Sequence, residues 1–260
     1  MSYPKVLFKI MSFEENIEVI TDFIFRESQN KDKENTKYFK NHFTEISNYD
    51  FSQLSKDEIN QILLNILADS WTKEMDKSQD IIDKYQQNWN EINDDVMKGL
   101  SKRLNINWPS DFSNIIARIG VLNACPRYIN QRTFDIKITD DLNEMRMIVI
   151  HELCHFIYFE KWKQLFNDND ESHYNYPHLI WYLSEAIIDP LLNNNIFKNF
   201  TNNFEINSYD IFYKKMIDNE SVVNQLRNIL AQKSIDEGII ECYNFFIKNE
   251  NIIKKGKSEQ

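Results

Sequence analysis

The sequence predicts an α+β fold that is predominantly helical, with a small sheet beside one central helix. Three observations predict it. Glycine and proline are scarce, 4 and 5 among 260 residues, so tight turns are few and helices long. The run Thr133-Phe134-Asp135-Ile136-Lys137-Ile138-Thr139 alternates apolar and polar residues as a half-buried strand does. The stretch from about Leu142 to Phe166 is apolar over most of its circumference, which places a helix at the centre of a fold.

In chain order, residues 1–110 read as an N-terminal helical region. Leu54, Ile59, Ile62, Leu63, Ile66 and Leu67 recur near helical spacing, and Ser55 with Glu58 is a capping-box start. A second helical segment runs from about Asp76 to Leu104, and Trp108-Pro109 ends the pattern because the residue before proline avoids helical geometry. Ile115 to Leu122 is a short aliphatic run, strand or buried helix, which Cys125-Pro126-Arg127 interrupts. Asp141 with Glu144 signals the start of the central helix. One further helix is expected over about His178 to Leu192, after an Asn/Asp/Tyr-rich loop. Residues 111–195 thus form the core region and 196–260 a C-terminal helical region, the whole expected as one compact unit.

Net charge is −10 and the pI about 5.1, which argues against broad binding of nucleic acid or anionic membranes. The one basic cluster, Lys254-Lys255-Gly256-Lys257, reads as a solvated tail. No apolar run reaches the roughly 18 residues of a membrane span, and the N-terminus lacks the apolar region of a secretory signal. Cys125, Cys154 and Cys242 are too few and scattered for a disulfide framework. A cytoplasmic location is the expectation.

The chemistry lies in His151-Glu152-Leu153-Cys154-His155. Histidines four apart on a helix share a face and can bind one tetrahedral metal ion. Glu152, beside the first, can take a proton from a metal-activated water attacking a carbonyl. Two histidines and a glutamate on the most buried helix are costly unless partnered. A third ligand is offered by Glu185, and Asp189, four residues on, can accept a hydrogen bond from a ligand histidine. Cys154 points elsewhere and packs.

His151-Glu152-x-x-His155 followed by Glu185-Ala186-Ile187-x-Asp189 resembles the gluzincin branch of the zincin metallopeptidases, the thermolysin-like type. The resemblance covers about residues 115–192. It implies a two-lobed zincin-like domain, Zn2+ held by His151, His155 and Glu185, Glu152 as general base, and Asp189 orienting a ligand histidine. It also implies an edge strand for an extended peptide, for which Phe134 to Thr139 is in place. The chain departs from the pattern in its longer gap between His155 and Glu185, and in having no histidine after His178. His178, with His173, Tyr174 and Tyr176, therefore stands as a candidate for polarising the substrate carbonyl. His178 is taken into the catalytic set, and His173 is an alternative third ligand. Arg127 and Tyr128 are candidates for the cleft wall.

The function expected is hydrolysis of a peptide or protein substrate by a zinc peptidase, with no nucleic acid and no membrane as partner. Two alternatives stand beside it. One is a zincin-fold binding or regulatory module, which would have no need of Glu152. The other is a protease acting on DNA-bound proteins, which the acidic charge disfavours.

Overall fold

A computed structural model describes residues 3–28, 34–75, 78–120 and 125–254. Along them run β1 (Lys5–Ile10), α1 (Phe13–Ser28), α2 (Glu34–His42), α3 (Lys56–Met75), α4 (Ser78–Asn90), α5 (Asn93–Leu104), β2 (Asn114–Gly120), β3 (Arg127–Tyr128) and β4 (Thr133–Lys137). The central helix α6 (Leu142–Phe166) follows, then α7 (Leu179–Ala186), α8 (Ile188–Leu192), α9 (Asn195–Lys198) and α10 (Asp210–Lys214). Next come β5 (Met216–Ile217), β6 (Glu220–Ser221), α11 (Val222–Gln232), α12 (Ile235–Lys248) and α13 (Glu250–Lys254). The architecture is α+β and mostly helical. No helix among the described residues is long and apolar enough to cross a membrane.

One mixed sheet has the order β1-β2-β4-β3, and β5 and β6 form a small separate ribbon. β1 pairs parallel with β2, and β2 parallel with β4. β3 runs antiparallel to β4, with Arg127 opposite Phe134 and Tyr128 opposite Thr133. The N-terminal region is thus not wholly helical. β1 buries alternate residues, Val6 and Phe8, and its partner begins at Asn114, which pairs with Lys5. A local pattern cannot reveal so distant a pairing.

The edge strand also differs from expectation. β4 is flanked on both sides, and the short β3 forms the outer edge. The chain doubles back because Arg132 adopts a left-handed φ of 51° and closes a turn onto the Ile129 carbonyl at 3.1 Å. β2 ends at Gly120; Val121 and Leu122 lie outside the described residues, as do Asp76 and the tail residues Lys255, Gly256 and Lys257.

The helix-start signals hold. Ser55 and Glu58 bond reciprocally, Ser55 N–H to Glu58 Oε2 at 2.8 Å and Glu58 N–H to Ser55 Oγ at 3.3 Å. Asp141 caps α6 by accepting the Asn143 N–H at 2.8 Å. Glu144 turns instead to the Thr139 hydroxyl and the Lys137 ammonium.

Two apolar cores result. The larger surrounds α6 and draws residues from Val6 to Ile253. The smaller belongs to α1, α2 and α3, with Ile20, Ile24, Phe39, Ile59 and Leu63 at its centre. The boundary between them falls inside the region expected as one N-terminal unit, since Tyr85, Trp89, Val96 and Leu100 of α4 and α5 join the larger core.

Candidate metal centre

α6 is buried on nearly every side, from Met145 through Trp162. It carries His151 and His155 on one face, with rings 4.9 Å apart. α7 brings Glu185 opposite them. Glu185 Oε2 lies 3.5 Å from His151 Nε2 and 3.4 Å from His155 Nε2. One ligand atom from each residue falls within 4.8 Å of the others. Tetrahedral zinc with bonds of about 2.0–2.1 Å sets its ligand atoms roughly 3.4 Å apart, so the spacing fits.

The unsatisfied polar atoms fit the same reading. Glu185 Oε2, Glu152 Oε2 and both ring nitrogens of His155 are buried without a hydrogen-bond partner. Buried polar groups are ordinarily satisfied, and a metal ion with a water beside Glu152 would satisfy most of these. Burial, with Arg127 next, pushes the His155 pKa down to about 3, so its imidazole is neutral, as a ligand must be. Burial pushes the Glu152 carboxyl up to about 7, against the opposing effects of His151 and Arg127, into the range of a general base. Burial opposes the charge of Glu185, but Arg127 and the histidines outweigh it and hold its carboxyl well below the usual range.

The site contains a residue with little sequence signal. Arg127, on the edge strand β3, donates from Nη1 to Glu185 Oε1 at 2.5 Å and from Nη2 to Ser184 Oγ at 3.1 Å. Its guanidinium lies 5.7 Å from the Phe159 ring centroid. Glu185 and Arg127 are 58 residues apart, and no motif links them. Tyr209 is also new. It precedes α10, its ring lies 6.1 Å from that of Trp181 on α7, and it remains 48% exposed. Its pKa is raised, first by the charge of Glu185 and then by burial, with Glu152 adding to the effect. The residue thus sits against α7, the helix that carries Glu185, and stays accessible to solvent.

Asp189 does not orient a histidine. Its carboxylate is fully buried and accepts from Arg227 Nε at 2.7 Å and Nη2 at 2.8 Å, Tyr213 Oη at 2.7 Å and Asn193 Nδ2 at 2.9 Å. His155 Nδ1 meanwhile has no partner. The cause is a break in the expected single helix. Pro190 has no N–H to offer the Ala186 carbonyl, and the Ser208 hydroxyl donates to it instead, at 2.9 Å. Ser208 Oγ also accepts the Asp189 N–H at 3.1 Å. This inserted side chain divides α7 from α8, so Glu185 and Asp189 do not share one continuous helical face.

His178 is likewise not brought to the centre. It is exposed at the N-cap of α7, about 10 Å along the axis from Glu185 at the rise of an α-helix. Its ring lies 5.3 Å from that of His173. His173 pairs with Asp168 at 3.2 Å and is not part of the group formed by His151, His155 and Glu185. Tyr174 is buried and donates to the Asp168 carbonyl at 2.9 Å, whereas Tyr176 is 65% exposed. Cys154 packs in the core, and burial raises its thiol to about 12.

No protein-family model, no curated protein and no solved structure matches this chain.

Proposed function

We propose that the protein is a zinc-dependent peptidase of the gluzincin type, with His151, His155 and Glu185 as ligands and Glu152 as general base. The observation that carries this reading is the convergence of three ligand atoms, with the buried and unpartnered carboxylate oxygen of Glu152 on the residue next to His151. A purely structural site has no use for that carboxylate. Bound zinc supplies activation of a water molecule at neutral pH. Glu152, whose Oε2 is buried and unpartnered, would hold the proton taken from the attacking water and return it to the departing amine. The Tyr209 hydroxyl takes the role first given to His178, donating to the substrate carbonyl. The short antiparallel edge strand β3 supports a reading in which an extended peptide would add along this edge, next to Arg127. The arrangement of a sheet with an antiparallel edge strand beside α6 supports a zincin-like domain.

The test is elemental analysis of protein purified without chelators, followed by hydrolysis of casein and a peptide library with and without a chelator. One zinc per chain and chelator-sensitive cleavage are expected. Two histidines and a carboxylate also suit iron(II), so stoichiometric iron with no cleavage would overturn the peptidase reading.

A further inference from the structure

We infer that Arg127 is a positioning residue that divides the Glu185 carboxylate, holding Oε1 so that Oε2 alone is presented to the metal. This role rests on the metal-centre reading above. The two oxygens already stand in different environments. Oε1 takes the Arg127 guanidinium at 2.5 Å, while Oε2 has no hydrogen bond and faces the two histidine Nε2 atoms at 3.5 and 3.4 Å.

Arg127 is itself fixed at both ends. Its backbone pairs with β4 opposite Phe134, and Asp135 N–H donates to the preceding Pro126 carbonyl at 2.8 Å. Its second arm is held by Ser184 Oγ, whose own proton goes to the Trp181 carbonyl at 2.8 Å. The side chain is 9% exposed. A planar fork locked this way fixes the carboxylate plane, which a lysine's single ammonium cannot do. An unrestrained carboxylate is free to swing or to chelate through both oxygens.

Charge alone predicts the opposite outcome. A guanidinium beside a metal cation repels it, so if Arg127 merely balanced charge in the metal-free protein, its removal would tighten metal binding. Positioning predicts weaker binding, because hydrogen-bond partners of ligand groups typically contribute 10–100-fold to affinity.

The experiment measures zinc affinity by competition with a chromophoric chelator, for wild type, Arg127→Met, Arg127→Lys and Ser184→Ala. Visible spectra of the cobalt(II)-substituted proteins report the coordination geometry. We expect one ion per chain throughout, a loss of about 10–100-fold for Arg127→Met and a smaller loss for Arg127→Lys. The cobalt spectrum of Arg127→Met should shift as Glu185 changes its mode of ligation. Affinity equal to or tighter than wild type, with an unchanged cobalt spectrum, overturns the role. Where Arg127→Met fails to fold, Ser184→Ala decides: a loss of about threefold or more supports positioning, and none overturns it. A wild-type chain that binds neither zinc nor cobalt instead overturns the metal centre itself.

Discussion

Glu152 is 5% exposed, and its Oε2 has no partner, so it can be altered with little effect on packing. Glu152→Gln keeps shape and volume but cannot accept a proton. Turnover should fall by about 10²–10⁴-fold, the usual contribution of general acid–base catalysis, while bound zinc and the melting temperature stay near wild type. Full retained activity on a cleaved peptide would remove Glu152 from the mechanism. Tyr209 is accessible enough for a similar comparison. Tyr209→Phe should lower kcat with little change in KM if its hydroxyl stabilises the transition state; equal loss in His178→Ala would return that role to the histidine.

Among the elements, the junction between α7 and α8 decides what Asp189 does. With four hydrogen bonds to Arg227, Tyr213 and Asn193, Asp189 ties α8 to α10 and α11. Asp189→Asn sets an amide against these donors. The expected cost is about 2 kcal/mol of stability, moderated because Arg227 is partly exposed and can rehydrate. Zinc affinity should stay within about threefold, below the effect expected of a ligand's partner. Urea unfolding and zinc titration of the same variant separate the two; a tenfold loss of affinity without destabilisation would restore Asp189 to the metal site.

In the sheet, Asp135 on β4 accepts from Arg118 Nε at 2.7 Å, yet burial raises its carboxyl from 3.8 to about 6 against that partner. The folded state therefore holds a proton that the unfolded chain loses first. Stability from this group is complete below about pH 4 and is lost as pH rises to about 6, with nothing further lost above. Asp135→Asn lacks this dependence. The difference in urea midpoint between wild type and variant should shift between pH 4 and pH 7 by the equivalent of about 2–3 kcal/mol. Parallel pH curves would show that the carboxyl titrates normally.

Across the whole molecule, α6 and α7 lie in the larger core, so a metal joining them should stabilise that core. At a free zinc concentration of 100 times Kd, the gain is about 2.7 kcal/mol. For a chain of this size that corresponds to a rise in Tm of roughly 5–10 °C, reversed by a chelator and absent from Glu185→Ala. That variant also leaves Arg127 buried without its carboxylate, so its metal-free form should melt lower than metal-free wild type. No zinc-dependent shift in the wild type would count against the centre.

The sequence by itself determined the central helix, its Asp141 cap, the alternating strand before it and the histidine pair with its glutamate. All of these arise from neighbours within a turn or two, where periodicity and spacing report geometry directly. It also marked Glu185, because an acid among Ala186, Ile187 and Ile188 is conspicuous on a buried helix. Only the tertiary structure decided the rest. β1 finds β2 across the whole helical N-terminal region, β3 displaces β4 from the sheet edge, and Arg127 reaches Glu185 from a distant segment. Asp189 was misread for the same reason: its role turns on Ser208, 19 residues on, entering a gap that Pro190 opens. Which acid faces the histidine pair and which ties α8 to α10 and α11 depends on long-range packing, and no local pattern encodes it.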